Sequence, residues 1–213
     1  TVGATASSTA VEVYAGASGL VTVTGLTSGA ALPAMSAKTA TAAADLPAIA
    51  VTPGTASASP VAYDISSSTY YAGVTDFTGT SDGGANVKVA KTTNATLVNT
   101  TGGAVNLDGG KAVSITTTGT SAVGVTSKGA TTVSVTGGTG ATIDNVEDSS
   151  AATTSIGTSM TAVSLTNVNG NSAVKGAGLS ALTIGGATTA ARTVTVTNAI
   201  VGHSLTINAA GTG

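Results

Sequence analysis

The side chains able to do chemistry are few, and most of them are carboxylates. Asp144, Glu147 and Asp148 fall together in "IDNVEDSS", while Asp76, Asp82 and Asp108 stand singly. Hard oxygen ligands of this kind suit Ca2+, which gathers about six to eight oxygens from carboxylates and backbone carbonyls. All six are therefore candidate metal ligands, with Ca2+ the expected ion. The competing reading of the cluster is a solvated charged loop, and Asp82-Gly83-Gly84 and Asp108-Gly109-Gly110 also read as tight turns, since Asp and Gly each favour turns for independent reasons. A paired-acid glycosidase is disfavoured, because the nearest basic residues in sequence are Lys128 and Lys175.

Nucleophilic chemistry finds little support. His203 is the single histidine, so a Ser-His-Asp triad would have to use it. One G-x-S-x-G match exists, "GTSDG" at Gly79 to Gly83, with Ser81 in the nucleophile position. A true elbow needs a strand before the serine and a helix after it, whereas "GANVKVA" reads as a strand. Gly110-Lys111 is followed by Ala112 rather than Ser or Thr, which excludes a phosphate-binding loop. There is no cysteine, so disulfide frameworks, thiolate zinc sites and Cys nucleophiles are absent. The expectation is a protein without catalytic residues.

Composition narrows the partners. Charged residues make up 8% of the 213, with a formal net charge of −2. Seven basic residues spread along the chain predict no nucleic-acid partner, because phosphate binding needs clustered Lys and Arg. So weakly charged a surface does little to keep copies apart. No apolar run approaches the roughly 18 residues of a membrane span, so no membrane insertion is expected. Opening on Thr1 with no signal peptide, the chain is expected to be a processed product or a segment of a longer one.

The elements that would position these groups are strands. Pairs such as Val113/Ile115, Val123/Val125, Val133/Val135, Val163/Leu165, Leu182/Ile184, Val194/Val196 and Leu205/Ile207 alternate with small residues. Period-2 alternation puts each pair on one strand face and the residue between them on the other. Those intervening residues are Ser114, Gly124, Ser134, Ser164, Thr183, Thr195 and Thr206. Strands recur about every ten residues, so two strand-plus-turn units make a coil of about twenty. The fold class is all-β, a parallel β-helix-like solenoid with a Val/Ile/Leu interior. A β-sandwich is the alternative, disfavoured because Asp-Gly or Asn-Gly hairpin corners are few.

All four prolines and all five aromatics precede residue 78. Two regions follow: 1–78, a β segment with an Ala/Thr/Pro-rich excursion in which 34–45 has short-helix character, and 79–213, the repetitive solenoid. Tyr70, Tyr71 and Phe77 suit either a sugar or partner anchor or, better, the packing and capping of a solenoid end. Asn94-Ala95-Thr96 and Asn99-Thr100-Thr101 match the N-glycosylation pattern. The Thr rows, Thr132/Ser134/Thr136 and Thr193/Thr195/Thr197, resemble the flat ladders of ice-binding solenoids but are broken by Ser and by Gly124.

The units "AVSIT", "TVSVT", "AVSLT" and "ALTIG", with "DFTGTSDGGANVKV" from Asp76 to Val89, resemble the β-solenoid regions of bacterial surface-layer proteins and of large RTX-type secreted surface proteins. The resemblance covers residues 76 to 213. It implies an extracellular, cell-surface location, a homo-oligomer assembled into sheets or fibres, and Ca2+ at subunit contacts. The chain departs from the RTX calcium repeat, G-G-x-G-x-D, because "GGTGATIDN" from Gly137 carries Thr142 at the Asp position. The function expected is an extracellular structural subunit of a surface layer or filament. The alternative is a stalk or glycan-binding module of a large secreted adhesin, with a cell-surface polysaccharide as partner.

Overall fold

A computed structural model describes residues 2–3, 20–26, 48–53, 61–66, 74–81, 83–118, 120–146, 156–187, 191–197 and 204–210, with side chains from residue 64 onward. The segment 34–45, Asp82, Glu147, Asp148, His203, Tyr70 and Tyr71 lie outside the described residues.

Among the described residues seventeen strands form two sheets. Sheet A runs β1 (Val2–Gly3), β2 (Leu20–Leu26), β3 (Ala48–Pro53), β5 (Asp76–Ser81), β7 (Asn94–Asn99), β9 (Ala112–Thr117), β11 (Thr132–Thr136), β13 (Ala162–Thr166), β15 (Ala181–Gly185) and β17 (Thr206–Ala210). Sheet B runs β4 (Val61–Ile65), β6 (Ala85–Val89), β8 (Val105–Asp108), β10 (Ala122–Ser127), β12 (Gly140–Asn145), β14 (Ser172–Lys175) and β16 (Val194–Thr197). From β4 on, successive strands alternate between the sheets, and each pairs in parallel with the strand one coil away. This is a β-solenoid of about 20 residues per coil. The sandwich alternative fails on strand direction, since the one antiparallel contact outside the named strands is the isolated Val146–Ile156 bridge.

The alternating sequence builds the core directly. In sheet A, Phe77, Ala95, Val113, Val133, Val163 and Leu182 stack in one inward column, and Leu97, Ile115, Val135 and Leu165 in the next. Sheet B supplies Val87, Leu107, Val125, Ile143 and Val174. All of these are at most 3% exposed. Phe77 is core, 1% exposed and among the largest buried side chains, so of the three candidate anchor aromatics it packs inside. The compositional break at residue 78 falls inside β5, and β3 pairs with β5 in the same sheet.

Turning the chain at each corner requires buried polar groups to be satisfied. Asn99 does this where β7 ends. Its Oδ1 accepts from the Ser81 hydroxyl at 3.0 Å and from Gly84 N at 3.2 Å, while its Nδ2 donates to Thr101 O at 3.0 Å and Ser121 Oγ at 2.9 Å. Asn145 serves another corner, donating to Ser127 O and Ser159 Oγ, each at 2.9 Å, and accepting from Met160 N at 3.3 Å. From β5 to β12 coil length is steady at 18 to 20 residues between stacked partners such as Asp76–Asn94 and Asn86–Asn106. Before β5 the coils are longer, as in the Ala48–Asp76 pair, and they lengthen again, to 30, between Thr131 and Thr161, the coil that holds the acidic stretch.

Candidate functional site

No described cavity gathers catalytic groups, so the functional geometry is that of the surfaces. Every outward strand residue belongs to a column running along the solenoid, and the two sheets present different columns.

Sheet A faces outward with Thr78, Thr96, Ser114, Ser134, Ser164, Thr183 and Asn208 in its middle column. Beside it run Thr80, Val98, Thr116, Thr136, Thr166 and Gly185. Asp76 at one rim is the sole charge among the outward side chains described on β5 to β17 of this sheet. Its carboxylate accepts from Asn94 Nδ2 at 2.9 Å and from the Thr75 hydroxyl at 2.7 Å. Those two hydrogen bonds, Asn94's first, hold the acid below its ordinary value of 3.8.

Sheet B faces outward with a charged column: Asp64, Lys88, Asp108, Thr126, Asp144, Lys175, Thr197. Signs alternate along it, so each Lys lies one strand from a carboxylate. Lys175 Nζ stands 3.5 Å from Asp144 Oδ1, which is buried and makes no hydrogen bond. The Asp64 carboxyl is held below its ordinary pKa by hydrogen bonds from the Ser66 hydroxyl and backbone N–H, with a smaller contribution from Lys88. The neighbouring column carries an amide rung, Asn106 Nδ2 donating to Asn86 Oδ1 at 2.9 Å.

The candidate metal ligands are thereby separated. Asp76 sits on sheet A, whereas Asp108 and Asp144 sit on sheet B with Thr126 between them. At about 4.8 Å per strand those two carboxylates are about 10 Å apart along the column. Among the described residues no three His, Cys, Asp or Glu side chains converge as a metal site. Asp82, Glu147 and Asp148 belong to the undescribed residues.

Two other candidates are structural. Ser81 is 4% exposed, its hydroxyl is given to Asn99, and a strand follows it, so the "GTSDG" match is a solenoid corner. Asn99 is 1% exposed with its amide engaged, so glycosylation of Asn99 is sterically excluded in the folded chain. The two Thr rows lie on opposite faces, Thr132 to Thr136 in β11 of sheet A and Thr195 and Thr197 in β16 of sheet B.

One group escaped the sequence reading. Lys91, Lys111 and Lys128 are dispersed along the sequence, yet they occupy one corner of three successive coils and line a common notch. The signal was their separation, 20 and then 17 positions, each close to one coil. Among the described residues no helix is long and apolar enough to cross a membrane. Compared with protein-family models, curated proteins and solved structures, the chain matches none.

Proposed function

We propose that this protein is an extracellular structural subunit, or a segment of one, that associates with copies of itself to form a surface layer or a cell-surface filament. The observation that carries the reading is the outer face of sheet A: built of Ser, Thr, Ala and Asn with one Val and one Gly, and free of charge from β7 to β17. Such a face needs little desolvation of charge when it docks. With six strands, β7 to β17, about 4.8 Å apart and about five residues of 3.3 Å each, the neutral face presents ~480 Å2. That is more than half of the ~800 Å2 that each partner buries in a standard specific interface.

A second route to association runs along the axis. Among the described residues β17 pairs with β15 on one side alone, and Ile207, stacked over Leu182, is 54% exposed. Unpaired strand edges are templates for further pairing. Ca2+ enters this reading as a cation shared between copies. Asp76, Asp108 and Asp144 would each supply oxygens from a separate place, and a partner copy would complete the ligand set. The role of the protein would be shape and tiling, with no enzymatic step.

Negative-stain electron microscopy of the purified chain, with Ca2+ and then with a chelator, tests the proposal. Ordered sheets or fibres are expected, and their dissolution on chelation would assign the carboxylates to the subunit contact. Dispersed particles in both conditions would reject self-assembly and favour the adhesin-module alternative.

A further inference from the structure

Lys91, Lys111 and Lys128 stand in the connections β6–β7, β8–β9 and β10–β11, one coil apart. The stacking is fixed by the backbone: Lys111 N donates to Thr93 O at 2.8 Å, and Thr131 N donates to Lys111 O at 2.7 Å. The middle connection is the tightest, Gly109-Gly110-Lys111. Both glycines have positive φ, 95° and 88°, and a Cβ on Gly109 would stand 1.9 Å from Val89 O. No side chain fits there, so the middle corner is recessed. The flanking connections approach each other across it, with Gly129 so close to Lys91 that a Cβ on the glycine would lie 2.6 Å from Lys91 Cβ. The result is an open notch of about 380 Å3 lined by Lys91, Thr92, Lys111, Lys128, Gly129 and Thr131.

The charges around this notch are arranged against the fold's own interest. Like charges directly opposite on neighbouring strands are destabilising, and the outer column of sheet B avoids this by alternating sign. Here three ammonium groups of one sign stack on successive coils, all on exposed side chains. Among the described residues no carboxylate lines the notch, and neither Lys111 nor Lys128 forms an ion pair. A polyanion laid across Lys111 and Lys128 removes the repulsion between them.

We propose that the notch binds an acidic polysaccharide, whose carboxylate, sulfate or phosphate groups lie along the solenoid axis against Lys91, Lys111 and Lys128. Lysine presents a compact, hydrated point charge that accepts any of these anions, and Thr92 on the rim offers a hydroxyl to a sugar. Single-stranded nucleic acid is the poorer occupant, because its binding sites add aromatic platforms or Arg planes for base stacking, and neither lines this notch. The anion site stands on the geometry alone; the choice of a glycan rests on the extracellular reading above.

Surface plasmon resonance over immobilised polygalacturonate, heparin, neutral dextran and single-stranded DNA tests this. The wild-type chain is expected to bind at least one acidic glycan, to release it as salt rises, and to ignore dextran. The double variant Lys111→Gln/Lys128→Gln is expected to bind about tenfold or more weakly, as loss of charge-assisted contacts implies, with a melting temperature at or above that of the wild type, since repulsion is relieved. Lys111→Arg/Lys128→Arg should retain binding. Absence of binding to both acidic glycans would overturn the proposal, as would equal binding by the Gln variant. Tighter binding to DNA would reassign the notch to nucleic acid. A chain that binds glycan yet stays monomeric leaves the site intact and rejects self-assembly alone.

Discussion

The two faces of the solenoid share one backbone geometry and differ in a single outward column. On sheet B that column reads Asp64, Lys88, Asp108, Thr126, Asp144, Lys175, and on sheet A it reads Thr78, Thr96, Ser114, Ser134, Ser164, Thr183. Because each coil adds one residue to each column, a face acquires its character by repetition. Five charges in one column make sheet B a self-satisfied, hydrated surface, whereas seven described strands of sheet A hold one charge, at the rim. The difference teaches that charge in this chain is placed, and that the face left neutral is the one suited to contact.

The largest expected effect comes from breaking what both faces hang on. Asn99→Ala would strand Gly84 N and the Ser81 hydroxyl inside a corner. Buried groups left unpaired cost about 1–3 kcal/mol each, so a loss of roughly 3 kcal/mol is expected in chemical denaturation, with both faces disordered together. Reversing one sign sharpens the comparison instead. Lys88→Glu would place three carboxylates in a row with Asp64 and Asp108, and a loss of about 1 kcal/mol is expected from like charges across strands. Thr126→Lys does the opposite, completing an unbroken alternation between Asp108 and Asp144. A gain of about 0.5 kcal/mol is expected, measured as a higher denaturation midpoint.

The smallest effect is in pH. Asp64 and Asp76 are both held below the ordinary carboxylate value of 3.8 by hydrogen bonds from Ser66 and from Asn94 and Thr75 respectively. A depressed folded-state value adds stability above the unfolded value and loses it as pH falls through the folded one. Stability should therefore decline gently below about pH 4. Asp76→Asn should flatten that decline, as thermal melts between neutral and acid pH will register.

Much of the fold was legible before any coordinates. The Val/Ile/Leu pairs from Val113/Ile115 to Leu182/Ile184 and the ten-residue recurrence require inward columns and a coil of about twenty, and both are present. The outward columns were not legible, because they depend on register. Asp144 meets Lys175 across the longest coil, 31 positions away, and no local pattern links the two. The lysine corner lay between these cases. Its period was visible, but a notch requires knowing that Gly109-Gly110 shortens the corner between two longer ones. The burial of Ser81 and Asn99 was hidden for the same reason, since a motif match carries no information about which side of a strand faces the core.

The central claim is that copies meet through the neutral face of sheet A. Sedimentation velocity on Ser134→Lys and Thr126→Lys, side by side with the wild type over a range of concentrations, tests it most directly. Each variant adds one identical charge at the middle of a face, one between two serines, Ser114 and Ser164, and one between two aspartates. The account predicts that the wild type and Thr126→Lys assemble while Ser134→Lys remains monomeric. Assembly of Ser134→Lys at wild-type concentrations, or a wild type that stays monomeric throughout, would contradict it.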